Sequence, residues 1–223
     1  MANDYFRFKQ FTIWQSRCAM KVGTDGTLLG AWASGGRQVL DIGTGTGLIA
    51  LMMAQRFPDA QVKGIDIDAD AVGQARENVA QSLFSDRVTI DHCNLTVAEG
   101  CYDCIVSNPP YFVQALSCPD DKRTMARHAD TLTYTELMEG GWRLLSEDGV
   151  FSLIIPFDCK GRLESEAALM GFFKTRECAV RTTPTKTPRR FMLTFAKHPS
   201  ALQQEELVIG SENYKELTKD FYL

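Results

Sequence analysis

The sequence has 223 residues, of which 44% are hydrophobic and 23% charged, with a formal net charge of −4. This balance excludes a disordered chain, and the longest purely apolar run, Leu48 to Ala54, is far short of the ~20 residues that cross a bilayer. The acidic total, taken alone, argues against a nucleic-acid partner.

The N-terminus, MANDYFRFKQF, has no basic region followed by an apolar stretch and a small-residue cleavage site, so a cytoplasmic protein with no membrane partner is expected. Cysteines at 18, 93, 101, 104, 118, 159 and 178 are odd in number, in a chain long enough to build its own core, which favours reduced thiols. Cys101 and Cys104 form a lone CxxC without a second ligand pair, and the histidines at 92, 128 and 198 are scattered, so no metal is expected. Cys104 reads instead as facing a core from a strand, with Cys101 in the preceding turn.

In chain order, runs rich in β-branched residues recur at Val39 to Ile42, Val62 to Ile65, Val88 to Ile90, Ile105 to Val106 and Val150 to Ile155. Helical spacing fills Leu48 to Arg56, Ala69 to Leu83 and Leu132 to Leu145. Strands apolar on both faces that alternate with helices imply a parallel sheet covered on both sides, hence an α/β fold. Arg176 to Thr182 and Phe191 to Ala196 read as strands joined by a turn-forming segment with two prolines, an antiparallel hairpin closing the sheet. No repeat or linker divides the chain, so residues 1–223 form one domain, with 1–37 as a short helical lead-in.

The segment VLDIGTGTGLIALMMA reads as strand, glycine turn and helix. Gly43, Gly45 and Gly47 let the backbone turn sharply and approach a ligand, and the following helix N-terminus offers free N–H groups to a negative group. The spacing is GxGxG; a dinucleotide fingerprint would need glycine where Leu48 stands. Asp66 ends the second strand, where a carboxylate can accept hydrogen bonds from both hydroxyls of a ribose. Asp68 and Asp70 read as helix-start residues.

With Asp41 two residues before the first glycine, the loop resembles the first motif of the class I S-adenosylmethionine-dependent methyltransferases. The resemblance implies a Rossmann-like methyltransferase fold with a mostly parallel seven-stranded sheet, helices on both faces and the C-terminal hairpin. It implies that the loop holds the methionine end of S-adenosylmethionine and that Asp41 receives its ammonium group. It also places an acid against the adenine amino group of the cofactor. This chain has Asn94 there, whose amide oxygen can accept the bond without charge.

After the fourth strand comes SNPPYF, Ser107 to Phe112. Asn108, Pro109, Pro110 and Tyr111 resemble the NPPY motif of methyltransferases acting on amino nitrogens conjugated to a ring or carbonyl: adenine N6, cytosine N4 or a glutamine amide. Such a nitrogen has a delocalised lone pair. Two acceptors, the Asn108 side-chain oxygen and the Pro109 carbonyl, favour its pyramidal, attacking form, while Tyr111 can stack on the planar target. Direct in-line transfer without a covalent enzyme intermediate is expected.

The ends of the chain narrow the choice. FRFKQFTIWQSRCAMKVGTDGTLLGAWA and ENYKELTKDFYL resemble the bacterial tRNA adenine N6-methyltransferases that act on adenosine 37 of valine tRNA. The resemblance makes Lys21, Thr24 and Asp25 neighbours of the cofactor's methionine end; on the residues alone, Thr24 or Asp25 caps the helix containing Leu28, Leu29 and Trp32. The competing classes are a glutamine N5-methyltransferase acting on a protein such as a release factor, which usually carries an N-terminal helical domain too large for 37 residues, and a non-catalytic cofactor-binding module.

Charge distribution revises the first impression. Residues 38–121 carry a net −8, whereas 122–128 carry +3 and 159–199 carry +6. Lys122, Arg123 and Arg127 follow NPPY, and Lys186, Arg189 and Arg190 lie in the final hairpin, so these cations, with Tyr111 and Phe112, are candidates for contacting tRNA. A monomer is expected.

Overall fold

The apolar runs become strands of one sheet, all inner except Val88 to Ile90, which lies at an edge. The structure, a computed structural model, describes residues 4–18, 21–110 and 132–223. Strands β3 (Gln38–Ile42), β4 (Gln61–Asp66), β5 (Val88–His92), β6 (Tyr102–Ser107) and β7 (Leu145–Pro156) are parallel. They alternate with helices α2 (Leu48–Arg56), α3 (Ala69–Ala80) and α4 (Tyr134–Leu144), which precedes β7. Then follow α5 (Lys160–Leu169), β8 (Phe173–Arg181), β9 (Arg190–Ala196), β10 (Gln203–Val208) and α6 (Glu212–Thr218). The strand order is β10-β8-β9-β7-β6-β3-β4-β5. This is the α/β architecture expected, with eight strands in the main sheet rather than seven. The hairpin β8–β9 is antiparallel, as expected, but β9 lies inside the sheet against β7, and the parallel strand β10 forms the edge.

Alternation along each strand feeds two cores, because successive side chains leave opposite faces. Val39, Cys104, Val106 and Ile154 join one apolar cluster with α1 (Thr24–Trp32), α2 and α3. Leu40, Ile42, Ile105, Leu153 and Ile155 join the other, with Tyr134, Leu137 and Met138 of α4 and Leu163 of α5. Helix α2 is buried from Leu48 to Ala54. It is apolar on all sides because it lies between the sheet and α1. A Cβ at Gly30 of α1 would stand 2.7 Å from Met52 Sδ, so glycine permits this close approach. Arg56 Nη1 donates to the carbonyls of Gly30 and Ala33, satisfying acceptors at the end of α1.

The lead-in is more than helical. It contains the hairpin β1 (Tyr5–Arg7) and β2 (Thr12–Trp14) before α1. Buried Asn78 of α3 fixes it: Asn78 Oδ1 accepts from Trp14 N, and Asn78 Nδ2 donates to the carbonyls of Trp14 and Thr46. One side chain thus joins the lead-in to the glycine loop. Phe8 stacks on Phe11 and Tyr222, and Lys9 N donates to Phe221 O, so the two terminal segments meet.

Candidate functional site

Between β3 and β6 the strand order reverses, and chains leaving the carboxyl ends of the strands there diverge to opposite faces, the usual ligand crevice of an open α/β sheet. A cavity of about 950 Å³ occupies this place. Gly43 and Gly45 line it from the loop after β3, Asp66 from the end of β4, Asn94 from the loop after β5, and Asn108 and Pro110 from the turn after β6.

The loop is held from beneath. Gly43, Gly45 and Gly47 have φ of 69°, 55° and 81°, which side chains disfavour. A Cβ built at Gly43 or Gly45 meets nothing within 4 Å, so these two glycines leave the cavity side open to a ligand. Gly47 acts differently. It is the N-cap of α2, with its Cβ position 3.4 Å from Ala75 of α3, and it does not line the cavity. The N–H groups of Gly43 and Thr44 donate to the Ile65 carbonyl, tying the loop to β4.

Asp66 connects the two motifs. Its Oδ2 accepts from Gly45 N at 2.8 Å and its Oδ1 from Asp68 N at 3.0 Å. Each carboxylate oxygen can accept a further bond, so both remain available to a pair of hydroxyls. Asp68 caps α3 through bonds from Asp70 N and Ala71 N, as its sequence position indicated, and also lines the cavity.

Asp41 departs from its expected role. It is fully buried and does not line the cavity. Its Oδ2 accepts from Thr44 Oγ1 at 2.7 Å and from Ala50 N at 3.1 Å, one of the free donors in the first turn of α2. It braces the loop from behind. Burial pushes its carboxyl up to about 7, against the lowering effect of these two bonds, and Oδ1 has no hydrogen-bond partner among the described residues. The physical reason is the pleat: Asp41 shares a face with Val39, which packs beneath α2.

Asn94 lines the cavity, but its Oδ1 already accepts from Thr96 N and Thr96 Oγ1, capping a short 3-10 turn. Asn108 follows Ser107, whose buried hydroxyl donates to Ile42 O at 2.9 Å and fixes the end of β6 against β3. Pro109 is buried and Pro110 exposed. Tyr111, Phe112, Lys122, Arg123 and Arg127 lie outside the described residues.

Lys21 and Thr24 are exposed and do not line the cavity; among the described lead-in residues Cys18, three residues before Lys21, does. Burial raises the Cys18 thiol to about 11. Neither Thr24 nor Asp25 caps α1, whose N-cap is Gly23 with no side-chain bond. Asp25 lies in the first turn and accepts from Arg190 Nε at 2.7 Å, so Arg190 is held by an ion pair, whereas Lys186 and Arg189 are exposed. Glu136 of α4 also lines the cavity while completing a capping box with Thr133. Nothing in the sequence distinguishes that cavity position from an ordinary cap.

Cys104 is buried and Cys101 exposed, as expected. Among the described residues, no three His, Cys, Asp or Glu side chains are grouped to hold a metal ion, and no helix is long and apolar enough to cross a membrane.

Comparison with known proteins identifies the family. The family described as Methyltransferase small domain matches residues 23–183. A protein of Bacteroides thetaiotaomicron named tRNA1(Val) (adenine(37)-N6)-methyltransferase is 49% identical over 100% of this chain and 99% of its own length. One of the same name from Phocaeicola vulgatus is 48% identical over the same shares. Among solved structures, a predicted O-methyltransferase from Agrobacterium tumefaciens has a TM-score of 0.70 at 15% identity, covering 88% of this chain and 96% of that one. TrmN from Thermus thermophilus has a TM-score of 0.56 at 24% identity over 77% of this chain and 47% of its own. These two likenesses establish the methyltransferase fold. The full-length relatives establish more: the chain belongs to the methyltransferase small domain family and, within it, to the tRNA1(Val) (adenine(37)-N6)-methyltransferases.

Proposed function

We propose that this protein transfers a methyl group from S-adenosylmethionine to the exocyclic N6 of an adenine in tRNA, adenosine 37 of tRNA1(Val). One observation carries the reading: Asn108 and Pro110 of the NPP turn line the same cavity as the open glycine loop and Asp66.

The residues fit the cofactor. The cradle open above Gly43 and Gly45 suits its methionine end, and Asp66 has acceptor capacity for both ribose hydroxyls. Asn94 lines the adenine end; its Oδ1 already accepts two bonds from Thr96, so its Nδ2 is the group left to donate to a ring nitrogen there. Bound there, S-adenosylmethionine supplies an electrophilic methyl group on a positively charged sulfur.

The chain's own work is on the acceptor. The Asn108 side-chain oxygen and the Pro109 carbonyl accept the two N–H bonds of the adenine amino group. Both acceptors then favour the geometry in which the nitrogen lone pair points along the line of transfer. Proline at 109 and 110 restricts the backbone that carries these groups. Tyr111 stacks on the adenine. Lys122, Arg123, Arg127, Lys186 and Arg189 supply the local positive charge for RNA phosphates that the net charge of −4 conceals.

The relatives named for tRNA1(Val), matched over the whole of this chain, favour this reading over a protein substrate. The test is a tRNA transcript methylated with labelled cofactor, beside one whose target adenine is replaced by purine, which lacks the amino group. Label in the first and not the second supports the proposal; equal label in both overturns it.

A further inference from the structure

Phe157 is 52% exposed, although a phenylalanine at the end of an inner strand has apolar neighbours to bury it. It follows Pro156, the last residue of β7, and opens the 3-10 turn Phe157–Cys159. Strand β7 runs parallel beside β6 with Leu153 level with Ser107, so it emerges at the sheet edge that carries Asn108. Phe157 lies three residues of strand rise, on the order of 10 Å, beyond the level of Asn108.

Two contacts hold Phe157 in place. Its ring leans on Phe191, with centroids 6.1 Å apart at 36°. Its backbone N–H donates to the carbonyl of Arg189 at 3.1 Å, which places the basic turn between β8 and β9 beside it. Lys186 and Arg189 are exposed there, and neither pairs with a carboxylate among the described residues. Against these two cations the aromatic turn contributes one acid, Asp158.

An open aromatic ring flanked by cations matches single-stranded nucleic acid, which offers a base face to the ring and a phosphate to each cation. Turning one adenine into the cavity leaves adjacent bases unstacked and in search of a partner. We propose that Phe157 is the stacking platform for a base of the substrate RNA close to the methylated adenine, with Lys186 and Arg189 on the neighbouring phosphates. This rests on the tRNA reading above and adds a substrate-positioning residue to it. Phe157 does not touch the reacting atoms; it fixes the register in which the loop presents the adenine.

The test compares the full chain with Phe157→Ala and Phe157→Trp, measuring kcat and KM on tRNA and cofactor binding by calorimetry. The Ala variant is expected to raise the tRNA KM about ten-fold, within the range for losing one base stack, with kcat and cofactor affinity within about two-fold. The Trp variant keeps a ring and is expected to stay near the parent. An anticodon stem-loop with an abasic nucleotide beside the target is expected to bind parent and Ala variant equally weakly at the contacted flank. Unchanged KM in Phe157→Ala overturns the proposal. So does equal damage in both variants, or an Ala penalty that stays undiminished with the abasic nucleotide at each of the two flanks in turn. Methylation of tRNA by the parent with any of these results leaves the proposed reaction standing; no methylation of tRNA by the parent removes both.

Discussion

The N–H of Gly45 donates to Asp66 Oδ2 at 2.8 Å, so the acid at the end of β4 and the glycine loop after β3 form one binding unit. Asp66→Ala therefore removes the ribose acceptor and a loop anchor together. Calorimetry is expected to show cofactor affinity reduced by at least ~10-fold. Asp66→Asn keeps one acceptor oxygen and should fall between the two; an affinity equal to the parent's in both variants would contradict the assignment.

Gly45→Ala separates strain from sterics. Its φ of 55° makes any side chain costly by about 1 kcal/mol, while the absence of atoms within 4 Å of the new Cβ predicts no clash in the free protein. Denaturant unfolding is expected to show only that modest loss, with a much larger loss of cofactor affinity. Gly64→Ala is the contrast: its Cβ would meet Thr44 Oγ1 and Ile90 Cδ1 at 2.7 Å, so it should lose stability first.

Buried Asp41 makes cofactor-free stability depend on pH. Desolvation raises its carboxyl from 3.8 to about 7, so between these values the folded state binds more protons than the unfolded chain. This contribution to stability is full below about pH 3.8 and is lost as pH rises through about 7. Across that window the parent should weaken relative to Asp41→Asn, whose side chain does not titrate. Parallel stability curves for the two proteins would refute the buried carboxyl's role.

The cations of the final hairpin should separate by partner. Arg189→Gln is expected to lower the steepness of tRNA binding against salt by ~0.7 on logarithmic axes, the value for one phosphate contact on a single strand. Arg190→Gln also releases Asp25, its partner at 2.7 Å. Its stability loss, under about 1 kcal/mol for a partly exposed pair, should be non-additive with that of Asp25→Asn in unfolding measurements.

These residues show what is legible in the sequence. The inner strands and α2 can be read because long apolar runs have few alternatives to burial. The glycine spacing locates the loop because a positive φ leaves a signature in residue type. Strand β10, QQEELV, escapes because its edge position buries only Leu207. Helix α5 buries only Leu163 and Ala167, too narrow a stripe to stand out. The hairpin β1–β2 has three-residue strands, shorter than any alternation pattern can mark. The resemblance to the methyltransferase loop motif implies a ligand contact for Asp41; the two-residue period through Val39 turns the side chain toward α2 instead. Arg190 resembles a substrate cation because sequence does not reveal that α1 starts beside β9.

The identity of the atom that receives the methyl group decides the reaction. Incubation of the protein with labelled S-adenosylmethionine and unmodified total tRNA, followed by nucleoside separation and mass analysis, tests it most directly. Asn108→Ala serves as control, with turnover expected to fall ~10²–10³-fold while cofactor binding persists. Label is expected in N6-methyladenosine with the parent protein and is expected to be nearly lost with the variant. Label confined to another nucleoside or to protein, or undiminished label with Asn108→Ala, would contradict it.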